Sequence, residues 1–289
     1  MSYLYKHYSG KDKLVAFFRS FFCYALLIFW ATTTILPLLW VFINSFKPSD
    51  AIILNSFALP EFFDISNYVT MMTYPGFNFF IALRNSGVIS VSVVTGVAIF
   101  STFAAFALGR INTVFNKYVT TLLVICLMVP TFATLIPNFV LISNTPMRGT
   151  YLAVILPQIA TNMSFATLLS TGYLRSLPKE LDEAAIIDGA NIWQIFWKII
   201  WPLSIPMIAT LSIMVFIWSY NDLLTPLVYL PTRSLQPVSV VLAMVSTMFG
   251  TDYGALMAAI IITIIPLFIL YLIASEQVVK GLTVGAVKG

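Results

Sequence analysis

This sequence has very little charge. Only 9% of its 289 residues are Asp, Glu, Lys or Arg, where a soluble domain carries about 25%. So few charges cannot cover a water-facing surface on a chain this long, which excludes a soluble globular protein. The one histidine, His7, stands in the polar N-terminal tail, and the two cysteines, Cys23 and Cys126, each lie inside an apolar run. That leaves no ligand set for a transition metal, no Ser/His/Asp arrangement and no disulfide framework. No Gly-x4-Gly-Lys-Ser/Thr occurs, so the chain carries no phosphate-binding loop of its own. Carboxylates are almost confined to the polar connections, which argues against the buried acids of a proton- or sodium-driven secondary transporter. Asp222, near the end of an apolar run, is the nearest exception.

The chain is 60% hydrophobic, with a mean hydropathy of +0.94. Ser20 to Ile43 runs for 24 residues without a charge, enough to cross a hydrocarbon core of about 30 Å at 1.5 Å per residue. Pro37, Trp40 and Phe42 in its second half are not the small-residue cleavage site of a signal peptide. Further charge-free runs predict an all-α integral membrane protein. It has six transmembrane helices at about 20–43, 85–109, 118–142, 150–172, 200–221 and 253–275, within a membrane domain 20–275. The polar tails are 1–19 and 276–289. The apolar stretch 236–250 is short and opens on Pro237, so it reads as a loop element between the last two spans. With this count, eleven Lys and Arg fall on the side holding both termini and four (Lys47, Arg84, Arg148, Arg233) on the other. Excess Lys and Arg mark the cytoplasmic side, which predicts a multi-pass cytoplasmic-membrane protein with both termini inside.

The most polar short run, Glu180 to Ala190, lies in the cytoplasmic connection 175–199 between spans four and five. Pro178 suits the first turn of a helix, and Glu180, Asp182 and Glu183 suit the positive end of its dipole. Leu181, Ala184, Ala185 and Ile187 recur at helical spacing. Gly189 is placed to end the helix, and Asn191 with Gln194 is placed as a capping box for a second one. The residues alone leave two readings: a solvated interfacial loop, or a docking handle on which small alanines admit a close partner surface and Glu183 meets a cation. Inside the spans, Asn138, Asn162, Asn221 and Asp222, with Tyr220 as a stacking face, are candidate groups of a substrate path. Ordinary hydrogen bonding between helices is the alternative for each.

The run Glu183-Ala184-Ala185, three residues, Gly189, nine residues, Ile199, and then Pro202 resembles the EAA signature of ABC importer membrane subunits. Trp201 stands where that pattern usually has Leu. Leu83-Arg84-Asn85-Ser86, Trp218-Ser219-Tyr220-Asn221-Asp222 and the Gly-rich stretch from Lys280 to Gly289 extend the resemblance to the carbohydrate-importing branch. The likeness is greatest to the six-span subunit of the maltose-type permease pair, which lacks a large external domain. The resemblance implies a transport subunit rather than an enzyme, without a cofactor of its own, since ATP and magnesium would be bound by partners. Those partners would be a second homologous permease, two cytoplasmic ATPase subunits and an extracytoplasmic solute-binding protein. It also implies that Glu183, Ala184, Ala185, Asp188 and Gly189 couple to the ATPase. Gly281, Gly285, Lys288 and Gly289 would touch it through the tail, and the 231–250 loop would face the binding protein. The solute stays open at this point: a sugar or oligosaccharide, or a non-sugar such as a polyol or glycerol phosphate.

Overall fold

The structure is a computed structural model that describes residues 10–73, 76–248 and 252–286. Among the described residues every regular element is a helix. In chain order these are α1 (Gly10–Asn44), α2 (Ser49–Leu54), α3 (Ser66–Thr73), α4 (Phe79–Arg110), α5 (Phe115–Leu127), α6 (Thr131–Ser143), α7 (Leu152–Ser176) and α8 (Glu180–Ile187). There follow α9 (Ile192–Ile195) and α10 (Trp201–Leu203), joined through a π-turn at Phe196–Ile200, then α11 (Ile205–Asn221), α12 (Leu224–Tyr229), α13 (Val238–Met248) and α14 (Tyr253–Ala286). Among the described residues, four stretches are long and apolar enough to cross a membrane: Phe17–Asn44, Phe79–Arg110, Leu152–Ser176 and Tyr253–Ile273. The number is six when each of two bent helix pairs is counted as one span.

The chain forms two compact units, 1–70 with 249–261, and 71–248 with 262–289. In the first, α1 exposes apolar side chains on all sides, including Phe22, Phe29 and Trp30. A helix apolar all round requires non-aqueous surroundings. Order in this unit comes from polar groups after α1. The Asn67 carboxamide donates to the carbonyls of Ser45 and Lys47, each at 2.9 Å. The Ser49 hydroxyl donates to Asp252 Oδ1 at 2.8 Å, and the same carboxylate accepts the Ala255 amide at 3.1 Å. Asp252 thus caps the first turn of α14, as an N-terminal carboxylate does.

The second unit is built on α4, α7 and α11. On α4 the buried residues Ser86, Ile89, Ser90, Val93, Val97, Ser101, Ala105 and Leu108 recur every three or four positions. Small side chains on that stripe let a neighbouring backbone approach closely, which is how helices associate where no water drives them together. Ile89, Val93 and Val97 pack with Val154 and Ala166 of α7 and with Met207, Leu211 and Val215 of α11.

Several elements differ in outline from the charge-free runs. The run 118–142 is two helices, α5 and α6, whose axes meet at 98°. Pro130 ends the first and opens the second, because proline disfavours helical backbone at the residue before it. The run 200–221 is likewise bent by 69° at Ser204, between two prolines, Pro202 and Pro206. The second span begins at Phe79, capped by the Asn78 side chain on the Ile81 amide at 2.9 Å. Within 236–250, taken from the sequence as a loop element, residues 238–248 form the helix α13. Val238, Val240, Val241 and Val245 are buried. Its start is held on α4: the Val238 amide donates to Ser86 Oγ at 2.8 Å. The Asn85 carboxamide donates to the carbonyls of Ser234 (2.8 Å) and Gln236 (3.1 Å) and accepts from Tyr151 Oη at 2.8 Å.

Candidate functional site

The polar run opens on α8. The amides of Asp182 and Glu183 both reach the Lys179 carbonyl, so the first turn starts directly after Pro178. Its end is a Schellman turn: the Gly189 amide donates to the Ile186 carbonyl at 3.0 Å and the Ala190 amide to the Ala185 carbonyl at 2.9 Å. This closure needs a left-handed residue, and Gly189 has φ +82°. Asn191 and Gln194 then form a reciprocal capping box, with bonds of 2.8 and 2.9 Å. The segment is therefore helix, glycine turn, helix.

Its faces divide differently from the helical spacing of its apolar residues. Ala185 alone is buried in α8, 7% exposed, against Ala105, Phe106, Leu174, Phe196 and Ile200. Ala184, Glu183 and Asp188 are exposed, and so are Ile186 (62%) and Ile187 (86%). The stretch after Asn191 is anchored by rings: Phe196 stacks on Phe103 with centroids 4.3 Å apart, and Trp197 and Trp201 pack around them.

A second anchor is charged. Arg110, the last residue of α4, is 4% exposed in its side chain. Its Nε stands 3.2 Å from Asp182 Oδ2 in an ion pair. The same guanidinium donates to the carbonyls of Leu177 (3.2 Å) and Pro178 (3.4 Å). In return Arg175, in the last turn of α7, donates to the Leu108 carbonyl of α4 at 3.1 Å. Each helix thus supplies an arginine to the other's C-terminal carbonyls, where cations suit the dipole. Burial pushes the Asp182 carboxyl up from its ordinary range, Arg110 pulls it down, and neighbouring Glu183 adds a smaller upward push. Asp182 and Arg110 are absent from the site residues expected from sequence. The signal available was an arginine closing each of two charge-free runs.

The intramembrane candidates divide. Asn138, Asn162, Asn221 and Asp222 line one cleft of about 790 Å³, together with Gln158, Ser219, Trp218 and Tyr229. Tyr220 does not: it is 2% exposed, donates to the Thr263 carbonyl at 3.1 Å and stacks on Phe216. One position along a helix turns a side chain by about 100°, enough to send Tyr220 away from the face that carries Asn221. At the cleft floor Gln158 donates to Asp222 Oδ2 at 2.8 Å and accepts from Ser219 Oγ at 2.6 Å. Asp222 also accepts the Thr225 amide at 3.3 Å, while its own carbonyl takes the Ser239 hydroxyl at 2.8 Å. Asn162 donates back to the Gln158 carbonyl at 2.8 Å. Among the described residues, the lining contains one carboxylate and no Lys, Arg or His. In the tail, Gly281 and Gly285 lie within α14, which continues to Ala286, while Lys288 and Gly289 lie outside the described residues.

Comparison with known proteins gives a consistent result. The arabinooligosaccharides transport system permease protein of Halalkalibacterium halodurans is 33% identical over 90% of this chain and 94% of its own. The trehalose/maltose transport system permease protein of Thermococcus litoralis is 30% identical over 91% and 94%. Among solved structures, a chain of a bacterial ABC transporter involved in alginate import superposes with a TM-score of 0.77. It is 23% identical and covers 93% of this chain and 98% of that one, a likeness of fold. The family described as binding-protein-dependent transport system inner membrane component matches residues 98–284, a stretch that holds α8, its glycine turn and the cleft. The chain therefore belongs to the binding-protein-dependent transport system inner membrane component family.

Proposed function

We propose that this chain is one membrane subunit of an ATP-driven importer of sugars or oligosaccharides. In this reading residues 180–190 dock on a cytoplasmic ATPase, and the cleft beside Asp222 forms part of the solute path. Its partners are a second, homologous permease, two ATPase subunits that bind ATP and magnesium, and an extracytoplasmic solute-binding protein. A solved complex of similar fold includes an alginate pentasaccharide-bound periplasmic protein. The observation that carries the coupling role is the exposure of Ile186 and Ile187 on a helix tied to Arg110 at its start and closed by the Gly189 turn at its end. Apolar side chains presented in this way mark a surface that another protein covers.

The charge balance supports a cytoplasmic position for the loop and both termini in the cytoplasmic membrane: eleven Lys and Arg on that side, four on the other. The cleft lining supports an uncharged, hydroxyl-rich solute over glycerol phosphate, since a phosphate would meet Asp222 with no cation to balance it. Gly281, Gly285, Lys288 and Gly289 extend the ATPase contact in this reading.

The test is a cross-link. Cysteine at Ile187 should couple to a cysteine-bearing co-expressed ATPase in membranes, and Glu183→Lys should abolish uptake while the subunit still inserts. Absence of the cross-link, together with normal uptake by Glu183→Lys, refutes the docking role. A cysteine at Glu180 should resist an impermeant thiol reagent added outside intact cells, and ready labelling would reverse the orientation.

A further inference from the structure

We infer that Arg110 is the positioning residue that makes the 177–190 segment and α4 move as one body, so that force applied to α8 passes into the span rather than bending the loop. The inference rests on the docking role proposed above and goes beyond it. The geometry is specific to this side chain. One guanidinium holds three separate points of the segment ahead of the glycine turn: the carbonyls of Leu177 and Pro178 and the carboxylate of Asp182. The first two lie on the short connection leaving α7 and the third lies on the first turn of α8, so Arg110 spans the joint between them. Pro178 cannot donate a backbone hydrogen bond there, and Lys179 contributes no side-chain cap to α8.

Without Arg110, the start of α8 would be held on α4 by apolar packing alone, through the buried Ala185 and the half-buried Leu177 ahead of it. The aromatic anchor at Phe103 and Phe196 lies after the glycine turn and fixes the other end of the segment. Lysine could keep the ion pair but not the two carbonyl bonds at once, because its ammonium is a point charge and the guanidinium a fork. The Arg110 side chain is 4% exposed, so its contacts with the segment are made largely out of water.

The experiment uses the assembled transporter in proteoliposomes with its ATPase, the second permease and the binding protein. Uptake and ATP hydrolysis are measured in the same vesicles, and the cross-link from a cysteine at Ile187 reports docking. For Arg110→Ala we expect the cross-link to persist while solute taken up per ATP hydrolysed falls about tenfold. Arg110→Lys should fall between that variant and wild type. The exchange Arg110→Asp with Asp182→Arg should recover uptake relative to Arg110→Asp alone. Unchanged uptake per ATP in Arg110→Ala overturns the inference while leaving the docking role intact. A missing cross-link in the parent carrying only the Ile187 cysteine refutes the docking role instead. If Arg110→Ala itself loses the cross-link, the charge exchange decides: recovered uptake supports the positioning role and no recovery overturns it.

Discussion

Gly189 gives the most sharply defined perturbation. Its φ of +82° lies in the left-handed region, and a Cβ added there would meet no atom within 4 Å. The penalty for a side chain is therefore conformational and not steric, about 1–2 kcal/mol for an ordinary L-residue. Since 1.4 kcal/mol is a factor of ten, Gly189→Ala should raise the open fraction of the turn about 5- to 30-fold. Asparagine enters this region at lower cost, so Gly189→Asn should fall between glycine and alanine, although it is the larger residue. Valine, stiff at χ1, should be worst. The two Schellman bonds, from the Gly189 and Ala190 amides, report the opening directly. Their hydrogen exchange, measured by mass spectrometry on the detergent-solubilised subunit, should accelerate in the order Asn, Ala, Val. The capping-box amide of Gln194, beyond the turn, should change less. If exchange instead tracks side-chain size, with Asn faster than Ala, the turn is governed by packing and the conformational argument fails.

Other sites give further expectations. Gly254→Ala would place a Cβ 2.5 Å from the Lys47 carbonyl oxygen and 2.6 Å from Asn67 Nδ2. Backbone cannot yield cheaply, so thermal unfolding in detergent should show a loss of about 1–3 kcal/mol; an unchanged transition would refute the close approach. Asn85→Ala removes both bonds to the 234–236 carbonyls and the acceptor of Tyr151, at a cost of about 1–3 kcal/mol. Limited proteolysis should then cut within 231–237 faster than in wild type. The raised carboxyl of Asp182 fixes the sign of a pH effect. The folded state holds that proton more tightly than the unfolded chain, so this contribution is fullest below the ordinary value of 3.8 and declines as pH rises through the raised value. The difference in melting temperature between wild type and Asp182→Asn should carry that slope across the acid range; a flat difference would contradict it.

What could be read from the sequence followed from local rules. The glycine turn and the capping box depend on residues within five positions of each other, and both are present. The fold class follows from charge-free runs, because backbone polar groups in lipid must be satisfied internally. The breaks at Val129-Pro130 and Ser204 were less visible, since a bend leaves the apolar run intact. The cleft required knowing which way each side chain turns, and adjacent residues separate there: Asn221 lines it and Tyr220 does not. Arg110 and Asp182 are 72 positions apart. Neither breaks a pattern where it stands, so only the folding of α7 beside α4 reveals the pair. Leu83-Arg84-Asn85-Ser86 was visible as a motif without a purpose. The structure gives two of its residues one, as the fixings of the segment that leads into α13.

This places unusual demands on α4. Near one end, Asn85 and Ser86 hold the 234–238 segment; at the other, Arg110 holds the start of α8. Twenty-five residues separate the two fixings, about 38 Å of helix at 1.5 Å per residue. Pro37, Pro137, Pro157 and Pro266 interrupt α1, α6, α7 and α14, but α4 contains no proline. It is thus the long apolar helix of the second unit best able to transmit a displacement along its axis without bending. A proline introduced on its exposed face, at Phe100, would remove one backbone bond midway and kink the rod. If α4 transmits the motion, Phe100→Pro should lower uptake per ATP as Arg110→Ala does, with the Ile187 cross-link still formed. If uptake per ATP is unaffected by a demonstrated kink, the stroke travels by another route, through α7 and the Arg175 bond to Leu108.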